Sequence, residues 1–136
     1  MTQMNKEIKE KWLSALRSGE YLQCTGKLHD GVGFCCLGVL TDLYIKDTEI
    51  GTWSFADIAY TFLSENEDNN TMLPEEVVEW AGISGSQYNS NPDVGTLNGF
   101  GDVSLSALND GSEEDGIKEH DFEEIATIIE NSIEGI

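Results

Sequence analysis

With 136 residues and 26 acidic against 7 basic side chains, the chain has a formal charge of −19 and is long enough for one domain but too short for two substantial cores. That excess argues against nucleic acid or anionic membrane as a direct ligand, because phosphate binding needs a cationic face. No apolar run approaches the roughly 18 to 20 residues of a membrane span, and the first residues lack the apolar stretch of a signal peptide, so a soluble cytoplasmic protein is expected.

The charge is unevenly divided. Residues 1–46 carry six Lys/Arg and five Asp/Glu, a balance of +1, whereas residues 47–136 carry Lys118 alone against twenty-one acids, a balance of −20. This asymmetry favours a protein partner with a basic surface; solubility or adaptation to salt is the plainer alternative. Three cysteines, two of them adjacent, do not make a disulfide framework, and reduced, buried thiols are expected.

In chain order, Ile8, Trp12 and Leu16 recur four residues apart among Lys6, Glu7, Lys9, Glu10 and Lys11, which predicts an amphipathic helix over Asn5 to Arg17 that stops at Gly19. Glu7 and Lys11 have the spacing of an i,i+4 ion pair. Tyr21–Thr25 and Lys27–His29 read as short strands with a turn at Asp30-Gly31, a small antiparallel sheet leading into the next element. From Cys35 to Ile45 nearly every position is apolar or small, which describes a buried central helix. Trp53–Phe55 reads as a strand, Ile58–Leu63 suits a buried element of either kind, and Glu65–Asn70 reads as an exposed loop. Pro74, Glu75 and Glu76 open a helix that Gly82 ends. Ser84–Asn98 is the longest polar connection, and Ser104–Leu108 one helical turn. Asp121 with Glu124 has capping-box spacing ahead of a last helix carrying Phe122, Ile125, Ile128, Ile129 and Ile133.

Candidate chemistry is sparse. Cys35 falls at a helix start, where the macrodipole lowers a thiol's pKa, so it is a candidate nucleophile with His29 or His120 as base. The competing reading is an inert thiol in the most apolar run of the chain. No C-x-x-C pair supports zinc, and aligning Gly116 with the central glycine of a calcium loop puts Gly111 and Phe122 where carboxylate ligands belong; neither a metal nor a cofactor is expected. The acidic segment 110–120 and the residues after it supply the candidate interaction surface, namely Asp110, Glu113, Glu114, Asp115, Glu119, Asp121 and Glu123. Trp53, Tyr60 and Tyr88 are candidate interface anchors, while core packing is expected for Trp12 and Trp80.

The run from Lys11 to Gln23 and the block Phe34-Cys35-Cys36-Leu37-Gly38-Val39-Leu40 with Asp42-Leu43-Tyr44 resemble a family of small bacteriophage and prophage proteins. Leu73-Pro74, Val77, Trp80-Ala81-Gly82, Leu105, Leu108-Asn109-Asp110, Phe122 and Glu124-Ile125-Ala126 extend that resemblance over most of the chain. It implies a phage origin and a place in the host cytoplasm, and no catalytic residue, since the family has no established activity. The acidic segment from Gly111 to His120 is an insertion relative to that pattern. The expectation is therefore a single α+β domain over 1–136, with a small antiparallel sheet packed against the buried helix and several surrounding helices. Functionally it reads as a phage accessory protein that binds a basic host or phage protein, as an inhibitor of a nucleic-acid-binding host or defence protein. The alternatives are a small enzyme built on Cys35 and a phage assembly or replication factor.

Overall fold

A computed structural model describes residues 5–56, 59–65, 68–69, 73–82, 93–96, 102–111 and 116–131. Its elements are α1 (Lys6–Arg17), α2 (Cys36–Thr48), β1 (Thr52–Ala56), β2 (Ala59–Leu63), β3 (Asp68–Asn69), α3 (Glu75–Ala81), β4 (Asp93–Thr96), β5 (Asp102–Ser104), α4 (Leu105–Asp110) and α5 (Phe122–Glu130). The fold is α+β: α2 packs against α1, α3 and α4, and α5 lies along α1 and α4.

The apolar run found in the sequence is the centre of the core. Cys36, Leu37, Val39 and Leu40 of α2 are wholly buried, and they share one core with Trp12 and Leu16 of α1, Val77 and Ala81 of α3, Leu105 and Leu108 of α4, and Ile125 and Ile129 of α5. α1 begins where Asn5 Oδ1 accepts from the Glu7 and Ile8 amides at 2.9 and 3.2 Å, a cap worth about 1 kcal/mol. Its Trp12 is fully buried, and the indole N–H donates to Cys36 O at 3.0 Å, so the ring is held at both its apolar body and its polar tip. Lys11 reaches Asp47 at 2.9 Å instead of Glu7, so the pair that sequence spacing suggested within α1 is replaced by one that ties α1 to α2.

The predicted sheet ahead of α2 is a correction. Residues 21–34 form a strap held by two isolated bridges, Gln23 with Phe34 in parallel and His29 with Phe34 antiparallel. Glycines and turns punctuate this stretch too often for a ladder to extend. Its turn at Asp30 is as expected: the carboxylate accepts from the Val32 and Gly33 amides at 2.9 and 2.6 Å, and those bonds lower its pKa. The true sheet follows α2 as an antiparallel meander β1-β2-β3, with Trp53 opposite Phe62 and Phe62 opposite Asn69. Ile58–Leu63 thus resolves as strand over 59–63, and Asp68 with Asn69 pair on the sheet edge where a loop was expected. Likewise Asp93–Thr96, expected within a loop, pairs with Asp102–Ser104. α2 runs three residues past its expected end, to Thr48, and closes on Glu49 in the left-handed conformation at φ 60°.

α3 starts after Pro74 and ends at Gly82, whose φ of 74° is the left-handed cap that glycine adopts without penalty. α5 carries the expected capping box, Asp121 Oδ1 accepting from Glu124 N at 2.8 Å and Glu124 Oε1 accepting from Asp121 N at 3.1 Å. Met4, Ile58, Tyr88, Ile133, the acids Glu113, Glu114 and Asp115, and the greater part of 84–98 lie outside the described residues.

The strap crosses α2 at one point. Gly38 passes directly beneath the backbone of Leu28, and a Cβ there would run into the Leu28 carbonyl. Both segments are backbone, so neither gives way easily. Gly38→Ala is expected to destabilise the fold by about 2–4 kcal/mol, read as a lowered urea midpoint at unchanged slope.

Candidate functional site

The site is built where the strap, α4 and the start of α5 meet. At its base lies Asn109, a polar side chain fully shielded from solvent. Its Oδ1 accepts from Gln23 Nε2 at 2.9 Å and from the Cys36 amide at 3.2 Å, while Nδ2 donates to Cys24 O and Asp110 Oδ1 at 2.8 and 2.9 Å. A carboxamide has two donors and two acceptor sites, so this one is saturated. It fixes the strap at Gln23 and Cys24 to the first turn of α2.

Above Asn109, Gln23 Nε2 also donates to His120 O at 2.8 Å. Gln23, Thr25, Glu119, His120, Asp121 and Glu124 then line an open groove of about 390 Å³. Of the predicted interaction residues, the structure brings Glu119 and Asp121 to this groove. Asp121 and Glu124 are already engaged with each other's amides, and Glu124 lies 3.7 Å from Lys118. Glu123 points elsewhere, toward Arg17 at 3.8 Å, in an ion pair shared with Glu130 at 3.1 Å. Asp110 is half-buried and accepts a hydrogen bond from Asn109 instead of lining the groove.

The three residues of the thiol reading do not assemble as a catalytic set. Cys35 is the N-cap of α2, and its sulfur accepts from Gly38 N at 3.3 Å. The dipole expected to activate it is overruled by burial, which pushes its pKa up to about 12. His29 lies stacked on Phe34 with ring centroids 3.9 Å apart, its Nδ1 2.7 Å from Gly33 O. His120 faces its own neighbourhood, with Nδ1 2.8 Å from Lys118 O. Burial likewise raises Cys24, to about 11, and raises Cys36 well above the ordinary thiol value.

A second polar centre escaped the sequence reading. Asp42, almost wholly buried in α2, accepts from Tyr21 Oη at 2.6 Å and from Trp53 Nε1 at 3.1 Å, and lies 3.0 Å from Lys46 Nζ. Lys46 also donates to Tyr21 Oη at 3.1 Å. Tyr21 and Trp53, which hold this carboxylate, also pack edge-on against Phe34, and His29 stacks on the same ring. Trp53 is therefore a half-buried bracket between β1 and α2, not the exposed anchor expected of it. Burial and the Asp42 bond raise the Tyr21 pKa, and bonds to Tyr21 and Asp42 raise that of Lys46. Asn109 and Asp42 left no spacing signal, because each is a single polar residue inside a short or apolar helix.

Among the described residues, no group of three or more His, Cys, Asp or Glu side chains is placed to hold a metal ion. No helix among them is long and apolar enough to cross a membrane. The chain belongs to the family described as a domain of unknown function, DUF8296, whose model matches residues 4–133. No curated protein and no solved structure matches it.

Two predictions arise from these buried groups. Asn109→Ala strands the Cys36 amide and the Cys24 carbonyl at once and leaves Gln23 only its bond to His120 O, and should cost about 3 kcal/mol in chemical denaturation. The thiols set an alkaline limit. Their folded pKa values lie above the roughly 8.5 of an unfolded cysteine, so the stability they confer is complete below that pH and is lost as pH rises toward about 11 for Cys24 and about 12 for Cys35. Denaturation midpoints measured from pH 7 to 11 should fall across that window, and Cys24→Ala should make the fall shallower.

Proposed function

We propose that the protein acts without catalysis, by binding a partner through the carboxylates of its acidic half, and that the partner presents a basic surface of the kind that holds nucleic-acid phosphates. The observation that carries this reading is how the few cations are used. Lys11, Arg17, Lys46 and Lys118 each face a carboxylate of the chain itself, while twenty-six acids share seven bases in all. The groove at Glu119 and Asp121 lies in the part of the chain where the excess is concentrated. A field of one sign speeds encounter with an opposite surface and makes it sensitive to salt.

The resemblance to small phage and prophage proteins supports placing this action in the host cytoplasm, as inhibition of a nucleic-acid-binding host or defence protein. The thiol-enzyme reading is set aside on physical grounds, because a sulfur with a pKa near 12 is protonated at neutral pH and bonded to the turn it caps.

The test is a pull-down from bacterial lysate with the tagged chain and with a Glu113→Lys, Glu114→Lys, Glu119→Lys variant, washed at low and at high salt. These positions leave the Asp121–Glu124 capping box intact. The expected outcome is a nucleic-acid-binding protein retained at low salt, released at high salt, and bound roughly tenfold more weakly by the variant. Capture that ignores both salt and charge reversal would sink the proposal.

A further inference from the structure

Cys24 and Cys35 sit in register across the parallel bridge of the strap. Phe34 N donates to Leu22 O at 2.8 Å and Cys24 N donates to Phe34 O at 2.9 Å, which pairs Gln23 with Phe34. One residue further along both segments, Cys24 lies beside Cys35. The alternation of burial agrees: Gln23 and Phe34 are half-exposed on one side, while Cys24 and Cys35 are buried on the other. Asn109 spans the same juncture, bonded to Cys24 O and to the Cys36 amide. Neighbouring strands lie about 4.8 Å apart, within the roughly 4.4–6.8 Å between Cα atoms that a disulfide bridges.

We propose that Cys24 and Cys35 form an oxidative modification site, a reduced dithiol that a small disulfide converts into an intramolecular Cys24–Cys35 bond. Cys24 is the entry point, being the less buried of the two, with its thiol donating to Lys27 O at 3.5 Å on the turn. Its thiolate attacks the external disulfide, forms a mixed disulfide and releases one small thiol. Cys35 then attacks the Cys24 sulfur, the second small thiol leaves, and the two cysteine protons end on the two departing thiols. One external disulfide is reduced and one internal disulfide is made. Cys36 takes no part, since its thiol points to Leu105 O at 3.6 Å on the far side of the helix start.

The bond would close the loop from 24 to 35, which contains Leu28. That residue's carbonyl accepts from Cys35 N at 3.1 Å and lies over Gly38. Oxidation therefore fastens the strap to α2 at the place where the two are already closest, and restrains the unfolded chain more than the folded one.

The test uses the reduced full chain incubated with oxidised glutathione at roughly pH 9.5, where a thiol raised to about 11 begins to ionise, then alkylated after denaturation and mapped without reduction. Cleavage after Lys27 separates Cys24 from Cys35, and peptide fragmentation distinguishes Cys35 from Cys36. The expected result is one intramolecular link between Cys24 and Cys35, with Cys36 alkylated and an unfolding midpoint raised by roughly 5 °C that dithiothreitol reverses. Cys36→Ser should keep the link and Cys24→Ser abolish it. Glutathione left on Cys24 beside an alkylated Cys35, a Cys35–Cys36 or intermolecular bond, or three alkylated cysteines in the wild-type chain would each overturn the assignment, whatever the variants do.

Discussion

A carboxamide removed from water must find all its hydrogen bonds inside the protein, and Asn109 does so by joining two segments distant from it in sequence to its own helix. Gln23 and Cys24 come from the strap, Cys36 from the first turn of α2, and Asp110 from α4 itself. Leaving any of these groups unpaired would cost more than the bond contributes when made, so the arrangement is directional in a way that apolar packing is not. Leu105 and Leu108 would be content against many surfaces. Asn109 accepts only this one, and the order of the strap over α2, the closeness of Leu28 to Gly38 and the base of the acidic groove follow from it.

Asp42 plays the matching part on another side of α2. A buried carboxylate is tolerated only when paired and hydrogen-bonded, and here Tyr21, Trp53 and Lys46 meet both conditions. The bond from Trp53 holds β1 to the helix, while that from Tyr21 holds the start of the strap. With Asn109 at the N-terminal turn and Asp42 a turn and a half further on, α2 is fixed along its length by two polar points inside an apolar sheath. This explains why so irregular a stretch as 18–35 keeps a defined path without a sheet to carry it.

Periodicity made the helices legible. Ile8, Trp12 and Leu16 recur with the helical period, Asp121 and Glu124 announce a start, and the apolar run from Cys36 could hardly be anything but buried. Strands were read less well, because those of this fold are short and their pairing depends on partners elsewhere. Tyr21–Thr25 has strand composition, yet it meets Phe34 at a single bridge because Gly26 and Gly31 turn the chain on either side; Asp68-Asn69 has loop composition, yet pairs with a strand. The two polar centres were illegible for a different reason. Periodic patterns report apolar faces, and a lone Asn or Asp on a helix looks the same whether it faces solvent or the core. Cys35 was open to two readings, a nucleophile from its place at a helix start and an inert thiol from its apolar run, and desolvation outweighs the dipole once the whole core is assembled around it.

The acidity of the chain is hard to account for by stability. Its ion pairs are largely exposed, Lys11 with Asp47 and Lys118 with Glu124 among them, and such pairs contribute about 0–1 kcal/mol each. The surplus of carboxylates beyond them repels itself and favours expansion. The buried core draws on both halves of the chain, on α1 and α2 from the balanced one and on α3, α4 and α5 from the acidic one, where Glu75, Glu79, Glu123, Glu124 and Glu130 stand on exposed positions of the helices that supply it. A sequence that keeps nineteen uncompensated charges against this cost, with carboxylates on the outer faces of helices whose inner faces build the core, has separated the task of folding from whatever the charges do. Under the proposed role the separation is useful in itself: the carboxylates that meet a basic partner can change without disturbing the saturated junction beneath them.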